Sequence, residues 1–201
     1  VALIEEYADD YDCVGVGRED GRKKGEHMST FWNKKTIKLL KWGTFWLSET
    51  PDKPSKGWDA ACYRTATWAL MKDKRTGKKF YYLTTHLEVG RDHADVRANS
   101  SSLIISREKE INKEGLPFFV TGDLNPVSQK EEMLLRFRRH FNDSFHMAYD
   151  AGILYGPTGT YNGFKPDADL SSHGKKGDYI FGKGEYSLKR YEAVAKKYDG
   201  Q

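Results

Sequence analysis

Cysteine is scarce in this 201-residue chain, which carries only Cys13 and Cys62. One bridge at most can form between them, so the chain is not a disulfide-stapled scaffold and must rely on a packed core. Long apolar runs are missing too. No stretch approaches the roughly 20 residues a membrane-crossing helix requires. The residues from Val1 onward do not have the charged-then-apolar pattern of a signal peptide. A signal removed by processing would leave the same sequence, so a periplasmic or secreted site and a cytoplasmic one are both open. Internal repeats, low-complexity tracts and Pro/Gly-rich linkers are absent, and residues 1–201 read as a single domain. Nucleotide-binding loops are missing as well. Gly15 and Gly17 are followed by Gly21, one residue too late for a dinucleotide fingerprint, and no phosphate-cradling P-loop occurs. His86 and His93 have no zinc-type spacing, and no cysteine or carboxylate completes one.

What is present is a folding composition: 38% hydrophobic and 13% aromatic residues, enough to bury a core. A net charge of +4 suits an anionic substrate and equally suits a solvated basic surface. Residues 29–32 and 36–47, rich in aromatic and β-branched side chains, read as strands joined by a turn near residues 33–35. Residues 49–57 read as a loop. Residues 62–72 are extended, with Arg64, Ala66, Trp68 and Leu70 on one face, and a turn at 73–78 returns the chain as a strand over 79–85. Residues 91–114 carry Val96, Leu103, Ile104 and Ile111 among charges, the pattern of an amphipathic helix ended by Gly115. A short apolar run at 116–121 predicts a buried strand, and Ser128 is expected to cap a helix running to about residue 139. Loops are expected up to Gly177, followed by strands at 178–181 and 186–193. Hairpins interspersed with helices indicate a layered α+β domain.

Chemistry concentrates at three strand ends. The strand through Phe118-Phe119-Val120-Thr121 runs into Gly122-Asp123-Leu124-Asn125-Pro126. If extended geometry persists, Asp123 and Asn125 point the same way. A carboxylate able to deprotonate water, beside an amide able to donate to an oxyanion, makes a hydrolytic pair. An Asx-turn satisfying local backbone groups explains the same residues equally well. His86, in Thr84-Thr85-His86-Leu87, can donate to a phosphate oxygen or act as acid or base, or it can be a structural histidine. Asp178 opens the apolar Tyr179-Ile180-Phe181; it can orient an imidazole, or bond to the loop of Lys175, Lys176 and Gly177.

The order of these elements, THL then GDLN then DYIF, resembles the endonuclease/exonuclease/phosphatase superfamily. Four further stretches resemble a bacterial subgroup of it: those opening at Gly15 (GVGREDG), Gly43 (GTFWLSETP), Gly57 (GWDAAC) and Gly156 (GPTGTYNGF). The likeness covers essentially the whole chain. It implies a four-layered α/β sandwich, two packed mixed sheets flanked by helices, with the site at one rim. It also implies Mg2+ or Mn2+ as cofactor and a phosphate-ester substrate: nucleic acid, phospholipid headgroup or small ester. Asp123 would orient or deprotonate water, Asn125 stabilise the transition state, His86 bind a phosphate oxygen and Asp178 support a catalytic histidine. Arg64 would meet substrate phosphate or serve as a buried structural arginine. Glu26 and Asn162 lie in motifs that face the cleft in relatives. A monomer is expected.

The chain departs from that pattern at both ends. Relatives open with a strand carrying Asn and a strand carrying Gln-Glu, whose Glu binds the metal, and they close with Ser-Asp-His. Residues 1–7 resemble the tail of the helix after the Gln-Glu strand, and Glu5, Glu6 and Asp199 are poor substitutes for the ligands. An incomplete sandwich, metal ligands outside this chain, weak Mg2+ binding and low activity are therefore expected. The alternative is a non-catalytic nucleic-acid- or phosphate-binding module, motivated by the basic segments 72–79, 136–140 and 175–176.

Overall fold

A computed structural model describes residues 9–165, 167–171 and 176–195. Its centre is a six-stranded mixed sheet. Strands β3 (Ile37–Trp46), β4 (Thr65–Asp73), β5 (Lys79–His86), β6 (Phe118–Asp123), β9 (Asp178–Lys183) and β7 (Asn142–Asp143) lie side by side in that order. All pairings are antiparallel except β5 with β6. That parallel pair needs a crossover, supplied by a 3-10 turn (Arg91–His93) and helix α1 (Ala94–Ile111).

Period-two alternation sorts each strand. Tyr81, Leu83 and Thr85 of β5, with Phe118 and Val120 of β6, are buried on one face. There they pack with Tyr179 and Phe181 of β9, Ile104 of α1 and Met133, Leu134 and Phe137 of α2 (Glu132–His140). Phe80 and Tyr82 point to the other face and pack with Trp32 and Met71 under the hairpin of β1 (Tyr11–Val14) and β2 (Thr30–Asn33). The result is an α+β sandwich of helices, central sheet and a second small sheet.

Several local expectations are corrected. Helix α2 starts at Glu132 rather than being capped by Ser128. The reason is Glu131, whose carboxylate is held by Arg97 and by the N–H of Val127, so the chain enters the helix only beyond it. The region expected to be loop up to Gly177 contains β7, helix α3 (Ser144–Asp150) and β8 (Leu154–Tyr155). Asp143 starts α3 by accepting the N–H of Phe145, a cap worth about 1 kcal/mol. The last expected strand shrinks to β10 (Tyr191–Glu192), because its parallel partner β8 is only two residues long. Both cysteines are free thiols. Among the described residues no helix is long and apolar enough to cross a membrane. Residues 1–7, His173, Lys175 and Asp199 lie outside the described residues.

Candidate active site

Strand register decides which side chains meet. The parallel ladder sets His86 opposite Asp123, and the antiparallel ladder sets Asp123 opposite Asp178. Three residues picked out at strand ends in the sequence are thus neighbours on adjacent strands at one rim. Gly122 permits the closeness: with φ of +140°, a Cβ there would lie 1.8 Å from the Thr85 carbonyl oxygen. Gly177 does the same beside the carboxylate, where a Cβ would meet Asp123 Oδ1 at 2.9 Å.

A cavity of about 480 Å3 opens over this rim, lined among others by Arg64, His86, Asp123, Asn125, Tyr161 and Asp178. His86 is braced on both sides. Its Nδ1 lies 3.4 Å from Glu26 Oε1, and its Nε2 lies 3.7 Å from Asp123 Oδ2. Glu26 also binds Arg18 at 2.5 Å, and so orients the imidazole from outside the cavity rather than lining it. Asn125 realises the Asx-turn: φ is +47°, its N–H donates to Asp123 Oδ1 at 3.0 Å, and its Nδ2 donates to the Leu87 carbonyl at 3.1 Å. The extended geometry required for Asp123 and Asn125 to point together therefore ends at the turn. One Asn125 amide hydrogen goes to Leu87, and the residue still lines the cavity. Asn162 does not; its side chain accepts the N–H of Phe164 at 2.9 Å, and Tyr161 beside it faces the cavity instead.

Arg64 reaches the cavity although it is only 6% exposed. Its Nη2 donates to Glu88 Oε1 at 3.2 Å, while its Nε has no hydrogen-bond partner among the described residues. Burial pushes the Glu88 carboxyl up, but the Arg64 guanidinium and the N–H groups of Val89 and Cys62 outweigh that and hold it below the usual carboxylate range. Arg64 thus places a buried positive charge, partly offset by Glu88, at the cavity wall.

Two buried cationic residues close to the site carry no signal in the sequence. Arg97, fully buried on α1, grips Glu131 through two hydrogen bonds of 2.5 and 3.2 Å. It also donates to the Glu88 and Gly90 carbonyls at 2.9 and 2.8 Å. It therefore ties the loop after β5 to the loop after β6. Lys176 is 4% exposed, with its Nζ 3.8 Å from the centre of the Phe145 ring and 4.4 Å from that of Tyr179. Burial pushes its amine down to about 8, with Asp143 opposing the shift and Arg138 adding to it.

Solved structures share this fold. An endonuclease/exonuclease/phosphatase family protein from Bacteroides thetaiotaomicron is 34% identical, with a TM-score of 0.85 over 98% of this chain and 70% of that one. The chain belongs to the endonuclease/exonuclease/phosphatase family. A second family structure, a mannosyl-6-phosphatase from the same organism, is 32% identical over 98% of this chain and 72% of its own, with a TM-score of 0.84. Human Nocturnin shares the family fold at 15% identity, a TM-score of 0.65, and coverage of 90% of this chain and 63% of its own. Neither the family models nor the curated proteins gave a match to the sequence.

Proposed function

We propose that this family member hydrolyses phosphate monoesters, with Mg2+ or Mn2+ as cofactor. The observation that carries the reading is the juxtaposition of His86 and Asp123 under a cavity whose wall holds the buried Arg64. Asp123 takes the proton of, or orients, the attacking water. His86, braced by Glu26, donates to a phosphoryl oxygen. Arg64 and the remaining amide hydrogen of Asn125 offset the negative charge that develops there. Asp178 supplies a second carboxylate able to hold an imidazole in its working orientation.

The donors fit a hard cation. Asp123 offers carboxylate oxygen, Gly177 leaves the space beside Oδ1 open, and neither cysteine lines the cavity. Such a cation would offset charge on the phosphoryl group and help position water. Among the described residues no three His, Cys, Asp or Glu gather into a metal site.

A small substrate is favoured by the size of the cavity, by the Tyr161 wall, on which a sugar ring can stack, and by the 32% identical relative named a mannosyl-6-phosphatase. Segment 72–79 behind the nucleic-acid-binding alternative is largely exposed, but the other basic segments give it less support. Arg136, Arg138 and Arg139 are engaged by Glu132 and Asp143, His140 is engaged by Glu108, and Lys176 is buried. Phosphate release from mannose 6-phosphate and p-nitrophenyl phosphate, compared with bis(p-nitrophenyl) phosphate, tests the proposal. Metal-dependent turnover preferring the monoesters is expected; no hydrolysis of any of the three with either cation overturns it.

A further inference from the structure

Lys176 stands out among the buried charges. Arg64, Arg97, Glu88, Glu108 and Glu131 each have an oppositely charged or hydrogen-bonding partner close by. Lys176 has no carboxylate within 4.0 Å among the described residues. Its Nζ instead faces three rings, Phe145 at 3.8 Å, Tyr179 at 4.4 Å and Tyr191 at 5.5 Å from the ring centres. Ring faces attract a desolvated cation, and the attraction grows as water is excluded. An uncharged side chain would fill such a box without the cost of burying an ammonium. A lysine there needs a reason beyond packing.

That reason lies one residue on. The Gly177 carbonyl accepts the N–H of Leu124 at 2.8 Å, and the N–H groups of Gly177 and Asp178 both donate to Thr160 Oγ1 at 3.0 Å. The backbone next to Lys176 therefore sets the distance between Asp178 and the Asp123 turn. It also carries the missing Cβ beside Asp123 Oδ1. A long side chain fixed at its tip restrains the backbone at its root: this segment cannot rotate without drawing the ammonium off the rings. We propose that Lys176 is a positioning residue, whose ammonium, docked on Phe145, Tyr179 and Tyr191, fixes Gly177 and Asp178 against Asp123. Asp143 and Arg138, themselves ion-paired at 3.1 Å, are the other charges facing it, one attracting and one repelling.

The kinetic half of the test rests on the hydrolase reading; the exchange half does not. Lys176→Met keeps length and apolar packing and removes the charge, and Lys176→Arg keeps the charge. In the full protein, amide exchange at Leu124 speeds by about tenfold or more in the Met variant and stays near the parent rate in the Arg variant. Turnover of p-nitrophenyl phosphate falls about 10- to 100-fold in kcat, with KM within about threefold, in the Met variant alone. Unchanged Leu124 exchange in the Met variant, or equal loosening in both variants, overturns the proposal. If Lys176→Met does not fold by circular dichroism, Tyr191→Leu removes one ring and leaves the amine; it loosens Leu124 if the proposal holds and leaves it unchanged if not. Loosened exchange in a protein that hydrolyses no ester keeps the positioning role and removes the hydrolase reading.

Discussion

At each end of strands β6 and β9 a histidine from a neighbouring element sits among charged groups, and the two ends are built differently. At the cavity rim, Glu26, His86 and Asp123 are spaced at 3.4 and 3.7 Å, and all three are part-exposed. At the opposite rim, Glu108 of α1 is 2% exposed and receives His140 Nε2 at 2.8 Å, Lys183 Nζ at 3.0 Å and the Asn112 amide at 3.4 Å. The second cluster spends its donors on itself. The first leaves distances that a phosphate oxygen or a water can close, as catalytic hydrogen bonds in a free enzyme often do. Under the proposed function, similar residue types serve stability at one rim and chemistry at the other. What separates them is whether the groups are satisfied internally.

The largest expected effect breaks the comparison at the cavity. Asp123→Asn should lower kcat/KM for a phosphate monoester by about 10²- to 10⁴-fold while leaving the melting temperature nearly unchanged, since the carboxylate supports only one backbone N–H. Steady-state kinetics beside a thermal melt checks this, and a loss under tenfold would mean the cavity rim is as structural as the other.

Glu108→Gln is the mirror experiment. It should cost about 1–3 kcal/mol of stability in urea unfolding while kcat/KM stays within about twofold. Its pH dependence has a definite sign. Burial pushes the Glu108 carboxyl up, but His140 and Lys183 outweigh it and hold the group below its ordinary value of 4.5. The stabilisation is therefore complete above that ordinary value and is lost as pH falls through the lower folded one. The parent should lose stability in acid more steeply than Glu108→Gln; parallel acid curves would contradict this.

The smallest effect sharpens the picture at Lys176. Its amine is pushed down to about 8 by burial, so the unfolded chain binds more protons above that pH and stability should rise from pH 8 towards 10. Tyr179 and Tyr191, pushed up by burial to about 12, act in the opposite direction once unfolded tyrosines ionise near pH 10. Melting temperatures across pH 8–10 should show a shallow rise that Lys176→Met flattens.

Much of this was readable in the sequence because alternation and strand ends leave local marks. Leu83 and Val120 alternate with half-buried neighbours, and His86, Asp123 and Asp178 each close or open an apolar strand. Helix α3 left little mark, having seven residues and a cap contributed by Asp143. Arg97 and Lys176 left none, since a charged residue on a helix or in a lysine-rich loop reads as solvated. The buried residues of α1 are Val96, Arg97, Ala98, Ser100, Ser101, Ile104 and Glu108, four of the seven polar or charged, so apolar periodicity understates the buried side. Only tertiary closure reveals partners as distant in sequence as Glu131 and Tyr191.

The parallel pairing of β5 with β6 also bears on how the proposed site assembles. His86 and Asp123 become neighbours only after the whole α1 crossover has closed, a non-local contact whose entropic cost falls early in folding and whose reward comes late. No local hairpin can hold the pair, because the crossover through α1 lies between its members. Recovery of hydrolysis during refolding should therefore lag behind recovery of helical signal, which makes turnover a reporter of global rather than local order.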